Sequence, residues 1–454
     1  MSTTVNINSQ LSLRQIFKTW WPLAASWLLM GVELPAVSAT MARLAYPKIN
    51  LAAYGGVVFP ISLIIEAPII MLLAASTALC KDWPSYLKIR RFMIVSAASL
   101  TVLHFLIAFT PIYYFIVEGI IGVPEIIVEP ARIGLMIMLP WTWSIAYRRF
   151  NQGVLIRFGH SQAVGIGTAI RLTADGLVLL AGYLIGGIPG IVVGTSAVIA
   201  GVFFEAIYSG IAVRPVVKGP LKRAPIIHPA LDLKTFLNFY IPLAMTSLLL
   251  LLANPIGSAA LSRMPLALDS LAVWPVIGGL IFMFRSPGVA YNEVVVALLD
   301  EPRSSFNLRK FAVILSIILS SLLLLITISP LSTVWFETIS ALTPALSLMA
   351  RSGLWLALLV PALSVWQSWY QGAIVHSRRT RGITEAVFLY LISSAVLLGI
   401  GAVWGQTPGL YIGLGVMTIS TAIQTTWLWY RAKPALGDLS ERDHYQPETQ
   451  VESL

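Results

Sequence analysis

Charge is scarce in this chain: 11% of its 454 residues are Asp, Glu, Lys or Arg, where a soluble domain carries about 25%. Water is therefore excluded as its main solvent. Cysteine is nearly absent. The single Cys80 rules out an intramolecular disulfide and a multi-cysteine metal site, and reads as a small buried apolar side chain. Catalytic constellations are missing as well. The sequence contains no G-x-x-x-x-G-K-[ST] loop, no H-E-x-x-H, no G-x-S-x-G and no paired Asp-rich motif of the kind that holds Mg²⁺ on a diphosphate. An enzyme, an ATP-driven pump, a cofactor and a resident metal have nothing to stand on. The first seventeen residues are polar and precede no short apolar stretch with a cleavage site, so the first span itself is expected to direct insertion.

What is present is grease: 57% hydrophobic residues and a mean hydropathy of +0.81. Apolar runs of about 20 residues, the length that crosses a bilayer core, recur at 19–41, 51–79, 92–114, 133–147, 164–186, 189–212, 236–260, 268–299, 311–331, 352–374, 384–404 and 408–430. With the N-terminus cytoplasmic, 23 of the 30 Lys and Arg fall in segments on that side, including "KIRR" and "HSRRTR". This bias predicts a multi-pass protein of the plasma (inner) membrane with both termini cytoplasmic. The formal charge of +10 is thus a topology signal. It suits anionic lipid headgroups as partners and argues against nucleic acid.

The chain also repeats itself. "LPAVSATMAR" (34–43) and "NPIGSAALSR" (254–263) share Pro-x-x-Ser-Ala-x-x-x-Arg at an offset of 220, and "WPLAAS" from Trp21 falls on "IPLAMT" from Ile241. Further on the offset is 219: Gln152-Gly153 meets Gln371-Gly372, Pro189-Gly190 meets Pro408-Gly409, and Gly182, Gly186, Gly190 and Gly194 meet Gly401, Gly405, Gly409 and Gly413. The prediction is an all-α polytopic protein of 12 transmembrane helices in two pseudo-symmetric six-helix bundles, 19–213 and 236–430. A cytoplasmic segment (1–18), a basic linker (214–235) and a disordered cytoplasmic tail (431–454) complete it. Six spans per copy give both bundles one orientation and an axis along the membrane normal. Pro35 and Pro255 should kink the first helix of each copy, with Ser38 and Ser258 placed to re-satisfy freed carbonyls. The glycine ladders mark close helix contact.

These motifs carry a family likeness. The "PLA" opening, kinked first helix, "LAAYGG", "QG" and "PG" turn resemble the MATE-like (MOP) transporter superfamily. Within it "WPLAASWLLMGVE", "LAAYGG", "IPLAMT", "NPIGSAALSR" and "PGVAYNEVVVA" are most similar to the progressive ankylosis (ANK) family, over about 20–431. The resemblance implies a V-shaped pair of bundles working by alternating access. For ANK relatives it implies release of small polyvalent anions such as pyrophosphate, citrate or nucleotide.

Charges inside spans cost about 2.5–3.5 kcal/mol each on the insertion scale and so mark candidate sites. They are Glu33, Glu66, Arg171, Asp175, Glu205, Arg285 and Glu293, whose repeat mates are Ala253, Ser286, Tyr390, Ser394, Gln424, Ile65 and Leu73. The frame is doubled; the charges are not. Glu33 and Glu66, each two residues before a proline, and with them Asp175 and Glu205, are the candidates for coupling H⁺ or Na⁺. Arg171 and Asp175, four apart, are expected to pair. Glu205 is expected at an interface or gate. Arg285, Asn292 and Glu293 should face the cleft, with Arg285 as the anion contact. Arg43 and Arg263 should face one another at the outer mouth and funnel anions. Arg171 and Asn254 complete the substrate candidates. Trp141, Trp143, Trp427 and Trp429 read as interface belts or packing. The leading expectation is a secondary transporter exporting a small polyvalent anion. The alternative is a proton- or sodium-coupled exporter of organic cations, or a lipid-linked flippase, on the same fold.

Overall fold

On the basic face three helices start at side chains that cap their first turns. Ser12, Asp82 and Asp232 accept from the backbone N–H of Gln15, Ser85 and Thr235 at 3.2, 3.0 and 2.9 Å, satisfying donors that a helix start leaves open. The computed structural model describes residues 11–299, 301, 304–377 and 381–444. It is all-helical, with twelve long helices: α1 (Leu13–Met41), α2 (Pro47–Glu66), α3 (Trp83–Phe109), α4 (Val128–Ile137 and Leu139–Arg157), α5 (Gln162–Ile185), α6 (Gly190–Leu221), α7 (Leu233–Ser262), α8 (Ala267–Leu298), α9 (Ser304–Ile328), α10 (Pro344–His376), α11 (Arg381–Trp404) and α12 (Gly409–His444). All but α4 and α12 contain a stretch long and apolar enough to cross a membrane. Cys80 is buried.

Duplication is written into the backbone. Six of the seven described residues with positive φ are repeat mates: Tyr46 with Leu266 (53° and 54°), Gly122 with Ala341 (72° and 52°), Gly186 with Gly405 (74° and 63°); the mate of the seventh, Gly159, falls outside the described residues. The wide-turn helices Phe115–Ile121 and Val334–Ile339, which follow α3 and α9, start 219 residues apart. A two-fold relation also predicts that mates on the axis touch. Gly55 of α2 and Pro275 of α8 are mates at offset 220, and a Cβ built on Gly55 would lie 2.6 Å from Pro275 Cδ. The pseudo-axis therefore passes between α2 and α8, where glycine alone allows the approach.

Several expectations need correction. The kink expected from Pro35 is present as a break at Val32, in the turn ahead of it: Pro35 lacks the N–H that would bond Gly31 and sits in the first turn of the second segment. Helix α7 runs unbroken through Pro242 and Pro255. There Asn254 Nδ2 donates to Leu251 O at 3.2 Å, the carbonyl that Pro255 leaves without a partner. Ser286 Oγ does the same for Met283 O ahead of Pro287. Ser38 Oγ is buried without a hydrogen-bond partner, so it does not play that part. The fourth span does not stop at 147 but reaches Arg157, and the second is interrupted after Glu66 before resuming as Leu72–Leu79.

The linker is not wholly extended. Helix α6 carries on through Arg214 to Leu221, and the remainder docks on the first half, where Asp82 accepts from Ile227 N–H at 2.9 Å and Lys88 donates to Leu231 O at 2.6 Å. Nor is the tail disordered from 431: α12 continues to His444. Leu439 is buried in the second-half core. Asp443 accepts from Ser305 N and Oγ at 3.1 and 2.5 Å, while Arg442 donates to Leu299 O at 2.8 Å. Residues 445–454 lie outside the described residues.

Each half lends the start of its first helix to the other. Ile16, Trp20 and Ala24 of α1 share a core with Tyr291, Phe311 and Val365, and Trp20 Nε1 donates to Pro287 O at 2.9 Å. Phe236 and Tyr240 of α7 join the first-half core, with Tyr240 Oη donating to Pro68 O at 2.5 Å.

Candidate functional site

An ionic cluster fills the interior of the first half. Arg148 of α4 lies 2.6 Å from Glu205 of α6, with side chains 5% and 0% exposed. Gln152, one turn on, donates to the other carboxylate oxygen at 2.9 Å. Glu66 accepts from Trp141 Nε1 at 2.7 Å. Arg171 of α5 pairs with Glu33 of α1 at 2.6 Å. Arg149 is within electrostatic reach of Glu66, Arg171 and Glu205 but forms no ion pair among the described residues. Both Asp175 oxygens are buried and lack a hydrogen-bond partner. A carboxylate in that setting, packed against Gly201 and near the Arg171 charge, has little to offset its lost hydration.

The sequence expectation is revised at two points. Arg171 and Asp175 do not pair, because Glu33 reaches Arg171 from across α1. Glu205 is not at an interface between halves but fully buried inside the first. Of the two readings open for Trp141, belt or packing, packing holds: it is 4% exposed and donates to Glu66. Trp143 is exposed, Trp427 donates to Glu385 at 3.2 Å, and Trp429 lies beneath Lys433.

Arg148, Arg149 and Gln152 were missing from the candidates. A span ended at 147 hands both arginines to the cytoplasmic flank.

The second half repeats this geometry without charge. At the mates of Arg148 and Glu205, Gln367 Nε2 donates to Gln424 Oε1 at 2.9 Å, again between the fourth and sixth helices of the unit.

On α8, residues 271, 275, 278, 282, 285, 289, 292 and 296 recur at alternating spacings of four and three and so share a face. At its start this face meets α2: Leu271 and Pro275 are buried against Gly56 and Gly55. Farther along, Arg285, Val289, Asn292 and Val296 are only partly buried and Glu293 is exposed. Asn292 Nδ2 donates to Ser368 O at 3.2 Å. The Arg285 guanidinium forms no hydrogen bond or ion pair among the described residues, although it lies just past the middle of a 32-residue helix.

Arg43 and Arg263 do not face each other. Each reaches the opposite half. Arg43 donates to Thr338 O and Ile339 O at 2.6 and 2.8 Å and to its own Ala39 O at 2.7 Å. Arg263 donates to Ile120 O and Ile121 O, both at 2.6 Å, and to its own Ala259 O at 2.7 Å. Lys48 and Asp269 form a cross-half ion pair on the same face.

No family model and no curated protein matches the chain. Solved structures do. A multidrug-resistance MATE-family transporter of the MOP superfamily, in an inward-facing conformation, superposes with a TM-score of 0.63 at 12% identity, covering 91% of this chain and 98% of that one. The lipid II flippase MurJ, in an inward closed conformation, gives 0.68 at 14% identity over 93% and 90%. A MOP-superfamily transporter from Pyrococcus furiosus, whose binding pocket is described as reversed in polarity, gives 0.61 at 15% over 96% and 100%. The fold is therefore the twelve-helix MATE-like fold of two six-helix bundles. Identities this low speak to the fold alone.

Proposed function

We propose that this protein is a secondary transporter, related to the ANK branch of the MATE-like fold, that exports a small polyvalent anion by alternating access between its two halves. It works in the plasma (inner) membrane with both termini cytoplasmic. Arg285 carries the anion assignment. It is a mid-span guanidinium with no acid paired to it among the described residues, whereas Arg148 and Arg171 each have one. Its planar fork suits phosphate or carboxylate oxygens, and Asn292 adds an amide on the same face. Arg171, Arg43, Arg263 and Asn254 already spend donors on protein acceptors, so of these candidates Arg285 is the one with no partner among the described residues. The first-half cluster of Glu33, Glu66, Asp175 and Glu205 supplies coupling to H⁺ or Na⁺.

A second reading, export of an organic cation or flipping of a lipid-linked substrate, is favoured by the unpartnered Asp175 and the exposed Glu293.

Uptake into proteoliposomes decides between them: labelled citrate or pyrophosphate against an ethidium-like cation, with and without a pH or sodium gradient. Anion movement that Arg285→Ala abolishes while the variant still elutes as folded protein is the expected result. Cation movement without anion movement overturns the anion reading, and full transport by Arg285→Ala removes that residue from the site.

A further inference from the structure

The reciprocal arginine contacts form a device with a mechanical consequence. The helices Phe115–Ile121 and Val334–Ile339 end with free carbonyls, the negative pole of a helix. Arg263 comes from the end of α7 and grips the first half; Arg43 comes from the end of α1 and grips the second. Each guanidinium also bonds a carbonyl one turn back on its own helix, which fixes its direction. Fit is close on the Arg263 side: a Cβ on Gly122 would meet Arg263 Cζ at 3.3 Å. The two contacts are related by the pseudo-two-fold and lie on the face that carries the α1–α2 and α7–α8 turns. They tie the halves together at two points on opposite sides of the axis.

We infer that Arg43 and Arg263 are paired latches that hold this face of the protein shut, and that both must let go of the opposite half's carbonyls before it opens. Beneath the latches the halves are in contact through α1 and α8. Gly31, Pro35 and Ser38 share one face of α1; Gly31 and Pro35 lie against Phe282 and Gly279 of α8, and Ser38 is fully buried. Nothing in that stretch is polar enough to hold the halves by itself: the Ser38 hydroxyl is unpartnered, and the contacts are glycine, proline and apolar side chains. Closure of the rim accordingly depends on the charge-assisted bonds above it, those of Arg43 and Arg263 together with the Lys48–Asp269 ion pair on the same face. The arginine grips differ from that acid–base pair in their acceptors, since backbone carbonyls do not titrate.

The inference rests on the alternating-access reading, and its test is read without any substrate. Ser38→Cys in a Cys80→Ala background places one thiol under the latches with little change in volume. Its labelling by a membrane-impermeant maleimide, applied from the side of the α1–α2 turn, is followed in proteoliposomes. With both arginines present labelling is slow. Arg43→Gln and Arg263→Gln each raise the rate, and the double variant raises it on the order of tenfold or more, the population change that about 1.4 kcal/mol produces. Lysine at both positions, a single-point donor in place of a fork, gives an intermediate rate. Labelling in the double glutamine variant that equals the parent, in protein that elutes as the parent does, overturns the latch assignment and leaves the arginines as helix-end caps. Faster labelling without transport of any cargo keeps the latch and removes the transporter reading; transport with unchanged labelling does the reverse.

Discussion

The amide pair in the second half defines a quantitative test of the ion pair in the first. Glu205→Gln leaves the Arg148 guanidinium buried against a neutral acceptor. Removing one member of a buried pair costs about 3–5 kcal/mol, most of it from the stranded charge. Arg148→Gln leaves Glu205 with the Gln152 amide as its hydrogen-bond partner and Arg149 and Arg171 only at longer range, and a similar loss is expected. Making both changes installs what the repeat mates already have, an amide donating to an amide at 2.9 Å between the same two helices. The Gln152 bond to position 205 survives, because a glutamine oxygen accepts as a carboxylate does. What remains is the shorter side chain at 148, a loss of about 1–2 kcal/mol. The interaction energy between the two positions is then about 4 kcal/mol or more, above the range of about 0.5–3 kcal/mol usual for residues in contact. Thermal loss of the monodisperse peak in detergent is the assay, because a rank order does not require reversible unfolding. Wild type should survive highest, the double variant next and both single variants lowest. A double variant less stable than either single one refutes the reasoning, and the charges would then be held by something other than each other.

Other outcomes follow from local geometry. A Cβ at Gly153 would sit 1.9 Å from Ser76 Oγ and 2.4 Å from Leu73 O, whereas one at Gly165 meets nothing within 4 Å. Gly153→Ala should therefore lower stability by about 1–3 kcal/mol or more, and Gly165→Ala should raise it by about 0.5–1 kcal/mol through helix propensity, both read by the same thermal assay. Burial pushes the Asp82 carboxyl up, but bonds from Ile227 N–H and Ser85 outweigh it and hold it below its ordinary value. Its hold on the linker is thus present above the unperturbed aspartate value of about 3.9 and is lost as pH falls through the lowered one. Asp82→Asn should speed hydrogen exchange at Ile227 several-fold at neutral pH, and unchanged exchange would show that the linker is docked by Lys88 alone. Tyr46 and Leu266 hold φ of 53° and 54° while 74% and 56% exposed. Glycine at either position should stabilise by about 1 kcal/mol by relieving left-handed strain; a loss of stability would mean that the exposed side chains anchor these turns.

Most of the frame was legible because duplication leaves two independent records of one structure. The offsets of 220 and 219 that align the opening phrases also pair Tyr46 with Leu266 and Gly186 with Gly405, positions that the backbone treats alike whatever residue fills them. The interior cluster was only half legible. Arginines next to one another at the end of an apolar run look like a cytoplasmic flank, so Arg148 and Arg149 were assigned to water. The repeat itself held the corrective signal: "RRFNQG" (148–153) aligns with "QSWYQG" (367–372), which lies inside a span. Partners were less accessible still. A spacing of four puts Arg171 and Asp175 on one face, but which acid arrives from another helix is a property of packing, and Glu33 arrives. The start of the tail was misread as disordered because polar composition carries no record of a helix docking on a neighbour. Asp443 reaching Ser305 is a long-range contact that no local pattern encodes.

The unequal chemistry of the halves constrains how such a machine can work. Every buried ion pair requires an acid and a base to be desolvated together, and amides of the same reach fill the equivalent place in the second half with none of that penalty. The frame therefore does not need charge between its fourth and sixth helices. What the charges add is sensitivity: Glu33, Glu66, Asp175 and Glu205 lie in one connected interior with three arginines, so a proton or cation gained by any of them is felt by the rest. Among the described residues the second half has no matching buried ion pair between its fourth and sixth helices. In the function proposed above, its partly exposed α8 face, with an Arg285 that has no partner among the described residues, responds to cargo, while the first half responds to the driving ion. Coupling then has to pass through the contacts the halves share: the Gly55–Pro275 axis, the exchanged starts of α1 and α7, and the rim where Arg43 and Arg263 hold the opposite half's carbonyls.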